Sequence, residues 1–450
     1  MNKLSKFIIE SPIWFISILI PVISVIFYLY HPFQFNLFPE TAVKKLYYID
    51  NISDAQQFLI NKFNRKYKNQ IEVVPVNLPF YDFTTNDRKE ILTRSLRSHS
   101  DGIDIFAVDL IWIPRFAKWG YTIDKYFDKE TLSRINRNVL QACYSKGNLV
   151  AFPLFTDMGI LFYRKDLIDS VPGGKELETK LSNSILWEDF IEFGSKFKNR
   201  KNPYYIYCGS DFEGMACTFF DMVPEDDIQN IFTKDNVNLK KPSVKRSLET
   251  MYDFIHKYNY SPVNVTAFDE YKSYLYANAH DAVFLRGWVG YNKQYKKYLS
   301  DTTKMKNLQI APLPHFKGDS TSGVFGGWHL MISKSSNRKE EAIKFIKFMF
   351  EKENQEILYD IGGILPVNNE VYEDSQYVSK HPELMELKEI LKWGKNRPFL
   401  ENYTKLSELM THYFHAALKN EITVDEAIDM ATQKIDSEYS LAKEEEIPEK

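Results

Sequence analysis

Cysteine is scarce: three in 450 residues rule out a disulfide scaffold and leave room for one bridge at most. Net charge is scarce too, with 57 Lys and Arg against 60 Asp and Glu and a formal charge of −3. A nucleic-acid protein would carry a clear basic excess, so nucleic acid is not an expected partner. Familiar catalytic signatures are also missing. There is no GxSxG elbow, no HExxH, no phosphate-binding P-loop and no GxGxxG after a strand. The nine histidines are scattered. His412 and His415 share a helix face without a third ligand nearby, so neither a metal nor a cofactor is expected. Carboxylate pairs for glycoside hydrolysis come from distant segments and leave no local mark.

What is present sets the architecture. A hydrophobic fraction of 44% is too low for a polytopic membrane protein and too high for a disordered one. Single cores stop growing near ~250–300 residues, so two domains or lobes of about 200 residues each are expected. Aromatic residues are abundant, with 33 Phe, 28 Tyr and 7 Trp.

Between Glu10 and Glu40 charge vanishes, and Ile13–Tyr30 is an almost unbroken apolar run. At the helical rise it covers roughly 27 Å, close to the ~30 Å hydrocarbon core. Lys3 and Lys6 precede it, which predicts a cytoplasmic start, one transmembrane helix, and an extracytoplasmic chain from about residue 31 onward. Trp14, Tyr28 and Tyr30 lie near its ends, as interfacial aromatics do. The competing reading is a cleaved signal peptide, whose apolar region is shorter and ends at a small-x-small site. The following HPFQFNLFPE has no such site and no cysteine for lipidation, which favours an uncleaved anchor in the cell membrane. Residues 1–40 form this anchor with its flanks.

Beyond it, strand and helix patterns alternate. Lys45–Asp50, Ile71–Val76 and Ile103–Asp109 read as strands, separated by a helix with Phe58, Leu59, Phe63 and Tyr67 on one side and another at Asp87–Arg97. Such alternation marks an open sheet with helices on both faces, whose ligands bind beyond the strand ends. A second set runs through Leu149–Leu154, Ile160–Tyr163, helices at Trp187–Lys198, Ser243–Tyr258 and Phe268–Ala279, and a strand at Asp281–Leu285. Leu308–Pro312 and Leu330–Ser333 follow as strands. Lys339–Tyr359 is an amphipathic helix closed by Gly362-Gly363, and Thr404–Ser437 is mostly helical. Cys208 and Cys217 are close enough in sequence for a local bridge; otherwise they and Cys143 are buried thiols.

Seven blocks, in order, then carry a resemblance: IDIFAVDLIWIPRFAKWG from Ile103, VAFPLFTDMGILFYRKDL from Val150, GSDFEG from Gly209, AVFLRGW from Ala282, GGWHLMI from Gly326, GGILPV from Gly362 and AALKNEITVDEA from Ala416. Together they resemble the extracellular solute-binding proteins of ABC importers, in the maltose/trehalose-type group. The resemblance spans roughly Lys44 to Asp436. It implies the two-lobed α/β periplasmic-binding-protein fold, two open doubly wound sheets joined by a hinge. By analogy one lobe takes 41–155 plus 307–350, and the other 156–306 plus 351–450. The implied ligand is a sugar, of the di- or oligosaccharide kind. The implied partners are ABC permease subunits with their ATPase on separate chains, since this chain has one span and no P-loop. A monomer is expected.

Sugars present C–H faces to aromatic rings and hydroxyls to planar polar groups. On that chemistry the candidate ligand residues are Asp109, Trp112, Thr156, Asp157, Glu213, Arg286, Trp288, Gly327, Trp328 and Arg397. Each has a plain alternative: a helix cap for Asp109, packing for Trp112 and Trp328, a hinge role for Thr156 and Asp157, an ion pair across lobes for Arg286. Phe212 replaces the Tyr usual in the family before Glu213, and Met222–Asn236 is shorter and more acidic than the family's Trp-containing stretch. Two other roles keep the same fold or site in play, a sensing module coupled to a membrane receptor and an anchored glycan hydrolase.

Overall fold

The computed structural model describes residues 43–79, 82–83, 85–98, 102–197, 201–233, 236–294, 296, 302–320 and 323–445. The expected anchor at Ile13–Tyr30 lies outside the described residues. Among the described residues, no helix is long and apolar enough to cross a membrane.

The first alternating set forms as its pattern dictates. Strand β1 (Lys44–Asp50) leads into helix α1 (Asp54–Lys66), whose start is fixed by a reciprocal capping box between Ser53 and Gln56. Strand β2 (Ile71–Asn77), helix α2 (Thr85–Ser98) and strand β3 (Ile105–Asp109) follow. Helix α1 buries Leu59, Ile60 and Phe63, while Phe58 is 44% exposed. Phe58 sits about 100° round the helix from Leu59, so it misses the buried stripe it was expected to share.

A short hairpin, β4 (Tyr144–Ser145) and β5 (Asn148–Leu149), precedes the longest strand, β6 (Phe152–Arg164). The remaining strands are β7 (Tyr205–Ile206), β8 (Phe284–Trp288), β9 (Leu308–Ala311), β10 (Gly323–Ile332) and β11 (Gly394–Lys395). Helices α3 (Glu213–Asp221), α4 (Pro242–His256), α5 (Glu270–Ala279), α6 (Lys339–Phe350), α7 (Lys352–Gly362), α8 (Tyr403–Leu418) and α9 (Val424–Glu445) complete the main elements.

The two lobes share one continuous mixed sheet, ordered β2-β1-β3-β10-β6-β8-β7, with β9 on β6 and β11 on β10. Two separate open sheets were expected. The difference lies in β6, whose 13 residues reach roughly 43 Å at ~3.3 Å per residue. Its first half pairs antiparallel with β10, Thr156 opposite Gly327 and Asp157 opposite Gly326. Its second half pairs with β8 and β9, Leu161 opposite both Arg286 and Ala311. The polar pair Thr156-Asp157 interrupts the apolar run and makes one strand look like two. Strand β10 in turn lies antiparallel to β3, Trp328 opposite Asp109, with a bulge between Trp328 and His329. A third crossing passes near Leu365, which bridges to Thr156.

Gly327 sits at this junction with φ +124°, and a Cβ there would lie 2.6 Å from the Phe155 carbonyl oxygen. Only glycine fits. The helix read as one piece over Lys339–Tyr359 is two, broken at Glu351 (φ −51°, ψ 135°). Side chains take up the carbonyls released by the break: Asn354 donates to Phe348 O (2.6 Å) and Gln355 to Met349 O (2.9 Å). The second piece ends on Gly363 in the left-handed region, as the Gly362-Gly363 pair predicts. Helix α7 packs on α1, while α8 and α9 pack on each other and on α4.

Candidate ligand-binding cleft

Strand β10 is the spine of the site. At its C-terminal half Trp328 faces Asp109 across the ladder. The Asp109 carboxylate accepts from the Ile111 N–H (3.1 Å) and caps the turn Leu110–Trp112. That turn folds Trp112 back against Trp328, edge to face, with ring centres 5.4 Å apart. Trp112 is 1% exposed and Trp328 8%. The Arg88 guanidinium lies over the Trp328 ring at 4.0 Å and is itself held by Asp50 at 3.0 Å. Trp112 thus supports Trp328 from the core, and Asp109 is a cap as well as a candidate contact.

The other side of Asp109 meets Arg397, 1% exposed. Its Nη2 donates to Asp109 Oδ1 and to the Phe325 carbonyl, both at 3.3 Å, and its Nη1 donates to Glu213 Oε1 at 2.5 Å. Glu213, the first residue of α3, also accepts from the Tyr403 hydroxyl and from Ser407 Oγ, each at 2.8 Å. Burial raises the Glu213 carboxyl above its ordinary range, and Arg397 and the two hydroxyls oppose that shift. Three segments, each more than a hundred residues from the next in sequence, close here on one guanidinium.

A second cluster lies on the β8 side. Arg286 Nε donates to Asp221 Oδ2 at 2.8 Å, and both side chains are buried. Asp221 Oδ1 accepts from the Val324 N–H at 2.8 Å, tying α3 to the start of β10. The guanidinium lies 4.2 Å over the Trp288 ring, while its buried Nη1 and Nη2 have no hydrogen-bond partner among the described residues. Trp288 in turn covers Gly326, where a Cβ would lie 2.9 Å from the indole. Lys395 donates to the Asp221 and Val223 carbonyls (3.3 and 2.5 Å), and burial pulls its ammonium down to about 8.

Asp157 and Glu270 border this second cluster. Both keep partial surface exposure, yet the surroundings of each carboxylate desolvate it. Burial pushes Asp157 up to about 8 despite a hydrogen bond from the Met158 N–H (2.8 Å), and Glu270 up to about 7 although the neighbouring Arg286 and Trp288 oppose the shift. Arg286 is the cation that acts on both. Thr156 is buried, and its hydroxyl has no partner among the described residues. Gly327 serves the strand crossing.

The structure therefore brings Asp109, Glu213, Trp328 and Arg397 together, and Asp157, Arg286 and Trp288 together, along a few residues of β10. Arg88, Asp221, Glu270, Tyr403, Ser407 and Lys395 join them unannounced. Asp221 alone had a visible signal, a carboxylate closing an otherwise apolar helix, MACTFFD, which demands a buried partner. Of the two readings left open for Cys208 and Cys217, buried thiols hold and the local bridge does not: all three cysteines are free and buried. Cys208 Sγ instead contacts Ser273 Oγ at 3.6 Å, and burial raises its thiol well above the ordinary range. His412 meets Asp211 and His415 the Thr266 carbonyl. Among the described residues no three His, Cys, Asp or Glu side chains are placed to hold a metal ion.

Residues 49–356 match the family model described as bacterial extracellular solute-binding protein. Among solved structures, the maltose-bound T. maritima MalE3 is similar at TM-score 0.75 and 24% identity, covering 87% of this chain and 99% of that one. A solute-binding protein from Thermotoga lettingae, bound with α-D-tagatose, is similar at TM-score 0.73 and 19% identity, covering 89% and 100%. The GacH receptor of Streptomyces glaucescens, solved unliganded and with acarbose, gives 0.72 and 17%, covering 87% and 97%. A Deinococcus radiodurans relative named "Probable ABC transporter-binding protein" is 20% identical over 359 residues, 79% of this chain and 84% of its own. The family is one of binding proteins and not of enzymes, in keeping with a site built of hydrogen-bonding and aromatic groups. With the family model covering well over half of its length, the chain belongs to the bacterial extracellular solute-binding proteins.

Proposed function

We propose that the chain is the membrane-tethered, extracytoplasmic solute-binding component of an ABC importer, that it takes a sugar or polyol between its lobes, and that it hands the solute to a separate permease driven by a separate ATPase. One observation carries the reading. Aromatic rings and charged hydrogen-bonding groups from β3, β8, α3 and the Arg397 segment converge where β6 and β10 cross between lobes. That combination is what a polyhydroxylated ring requires. Proteins of similar fold bound with maltose, tagatose, ribitol and mannitol support a sugar or polyol as the solute class. The apolar run Ile13–Tyr30 supports the tether.

Within this reading Trp288, Trp328, Asp157, Glu213, Arg286, Arg397 and Asp109 face the solute, with Trp112, Thr156 and Gly327 beneath them. The lobe boundaries are drawn at the crossings near Thr156, Gly326 and Leu365, because β9 pairs with the distal half of β6 and α7 packs on α1. Solute held by both lobes stabilises the closed arrangement by its differential affinity.

The test is a thermal-shift screen of the full-length protein against sugars, polyols, amino acids, peptides and polyamines. A ligand at 100 times its Kd adds about 2.7 kcal/mol of stability. Shifts with sugars or polyols support the reading, and shifts confined to amino acids, peptides or polyamines overturn it.

A further inference from the structure

The strands β1, β3 and β10 have two ends. One carries the cleft, where β3 closes on Asp109 opposite Trp328. At the other end β10 finishes with Ile332 opposite Ile105, and β1 begins. Backbone groups tie several segments together there. The Lys334 N–H donates to the Trp119 carbonyl (2.8 Å), Tyr121 N–H to Ile332 O (2.7 Å) and Ser333 N–H to Asp104 O (2.9 Å). The Tyr47 N–H, in β1, donates to Asp104 Oδ2 at 3.0 Å.

What this end presents to solvent is basic and aromatic. Lys118 and Arg97 lie over the Trp119 ring at 4.5 and 6.0 Å, Lys339 over Tyr121 at 5.1 Å and Lys125 over Tyr126 at 4.8 Å. The three rings are half-buried, while Arg97, Lys118, Lys125 and Lys334 are exposed. Acidic neighbours offset part of this charge. Asp104 takes Arg338 at 3.5 Å, Glu340 accepts from the Tyr126 hydroxyl at 2.7 Å, and Glu401 stands 3.9 Å from Lys118. Arg97, Lys125, Lys334 and Lys339 have no ion-pair partner among the described residues. The whole chain carries −3, so a face with a basic excess does not simply reflect composition. Half-buried Trp and Tyr set among lysines are the side chains of a membrane–water interface, the rings lying at headgroup level and the cations on anionic lipid.

The sequence supplies a second, independent observation. The apolar run ends at Tyr30, and fourteen residues later Lys45, also exposed, opens β1 at this same end of the sheet. Fully extended, those residues reach at most about 50 Å. We propose that this end of the sheet docks on the anionic lipid headgroups of the membrane that carries the chain. Lysine and arginine side chains reach the phosphates, and Trp119, Tyr121 and Tyr126 lie at headgroup level. The opposite end of β3 and β10, with Asp109 and Trp328, stays clear of the lipid and open to solute. This rests on the tethered reading above, which keeps the surface within reach of the bilayer. Each basic residue near an anionic surface is worth roughly fivefold in the docking equilibrium, and salt screens it.

The experiment is hydrogen–deuterium exchange of the full-length protein reconstituted in vesicles of phosphatidylcholine alone and of equimolar phosphatidylcholine and phosphatidylglycerol. The expected result is exchange at least about tenfold slower at 118–126 and 334–339 in the anionic vesicles, relieved by high salt. In the triple variant Lys118→Glu, Lys125→Glu, Lys334→Glu that slowing disappears. Retention in both kinds of vesicle after an alkaline wash reports the tether separately. Equal exchange at these segments in the two kinds of vesicle, in a chain that stays anchored, overturns the proposal and leaves the tether standing. Slowing that survives high salt or the triple variant overturns it too, because charge is then not the cause. A chain washed out of both kinds of vesicle removes the tether and the proposal with it. The wild-type comparison decides the matter even where the variant fails to fold.

Discussion

Arg397 donates to Glu213 across 2.5 Å, although 183 residues separate them and neither neighbourhood announces the other. The same guanidinium reaches Asp109 at 3.3 Å. One side chain, 1% exposed, thus holds the start of α3 to the end of β3.

Removing that side chain leaves Glu213 buried without its cation. Arg397→Met should destabilise the protein by about 3–5 kcal/mol. The double variant with Glu213→Gln should recover a large part of the loss. Urea unfolding of both variants checks this, and an unaltered midpoint in Arg397→Met would show that the pair is incidental.

The strand crossing depends on Gly327. Gly327→Ala adds a methyl 2.6 Å from the Phe155 carbonyl at φ +124°, and a loss of at least ~2 kcal/mol is expected from strain and overlap together. Gly318→Ala is the control: its φ is +91°, with nothing within 4 Å of the added Cβ. It should cost only the backbone strain, about 1 kcal/mol. Comparable losses at the two sites would contradict a steric role for the crossing.

His329 gives an acid limb. Burial lowers its pKa from 6.5 to about 4, so the unfolded chain binds the extra proton first. Stability from this group is complete above about pH 6.5 and is lost as pH falls toward 4, by roughly 3 kcal/mol in all. His329→Gln should flatten the stability–pH curve between those values in denaturant titrations.

Asp157 acts with the opposite sign. Its pKa is raised from 3.8 to about 8, so the folded chain holds the extra proton and stability falls as pH rises from about 4 to 8. Asp157→Asn should gain on the wild type progressively across that window, by about 1–2 kcal/mol once partial exposure is allowed for. A constant difference from pH 4 to 9 would show that the carboxylate titrates as if in water.

How much of this was legible beforehand follows from what is local. Ser53 with Gln56, the Gly362-Gly363 stop and the β1-α1-β2-α2-β3 alternation are written within a few residues of where they act. Asp109, Glu213, Arg286 and Trp328 were marked as separate pieces by their blocks, and Arg397 stood as a candidate outside them. Their pairing was not legible, because ion pairs between positions 109, 213 and 397 leave no periodicity or spacing in the chain. Strand β6 hid its continuity behind Thr156-Asp157, the two residues where it changes partners. Glu270 was invisible: an acidic first-turn residue is ordinary at any helix start, and only the fold brings it to Trp288.

The central claim is that solute is held between the lobes at the β6–β10 crossing. Hydrogen–deuterium exchange of the full-length protein, with and without the best sugar or polyol from the thermal screen, tests it most directly. The account predicts simultaneous slowing at 155–158, 213–216, 286–288, 324–328 and 397, segments drawn from both lobes. Protection confined to one lobe, or to the outer face of α2 around Arg94 and Arg97, would contradict it.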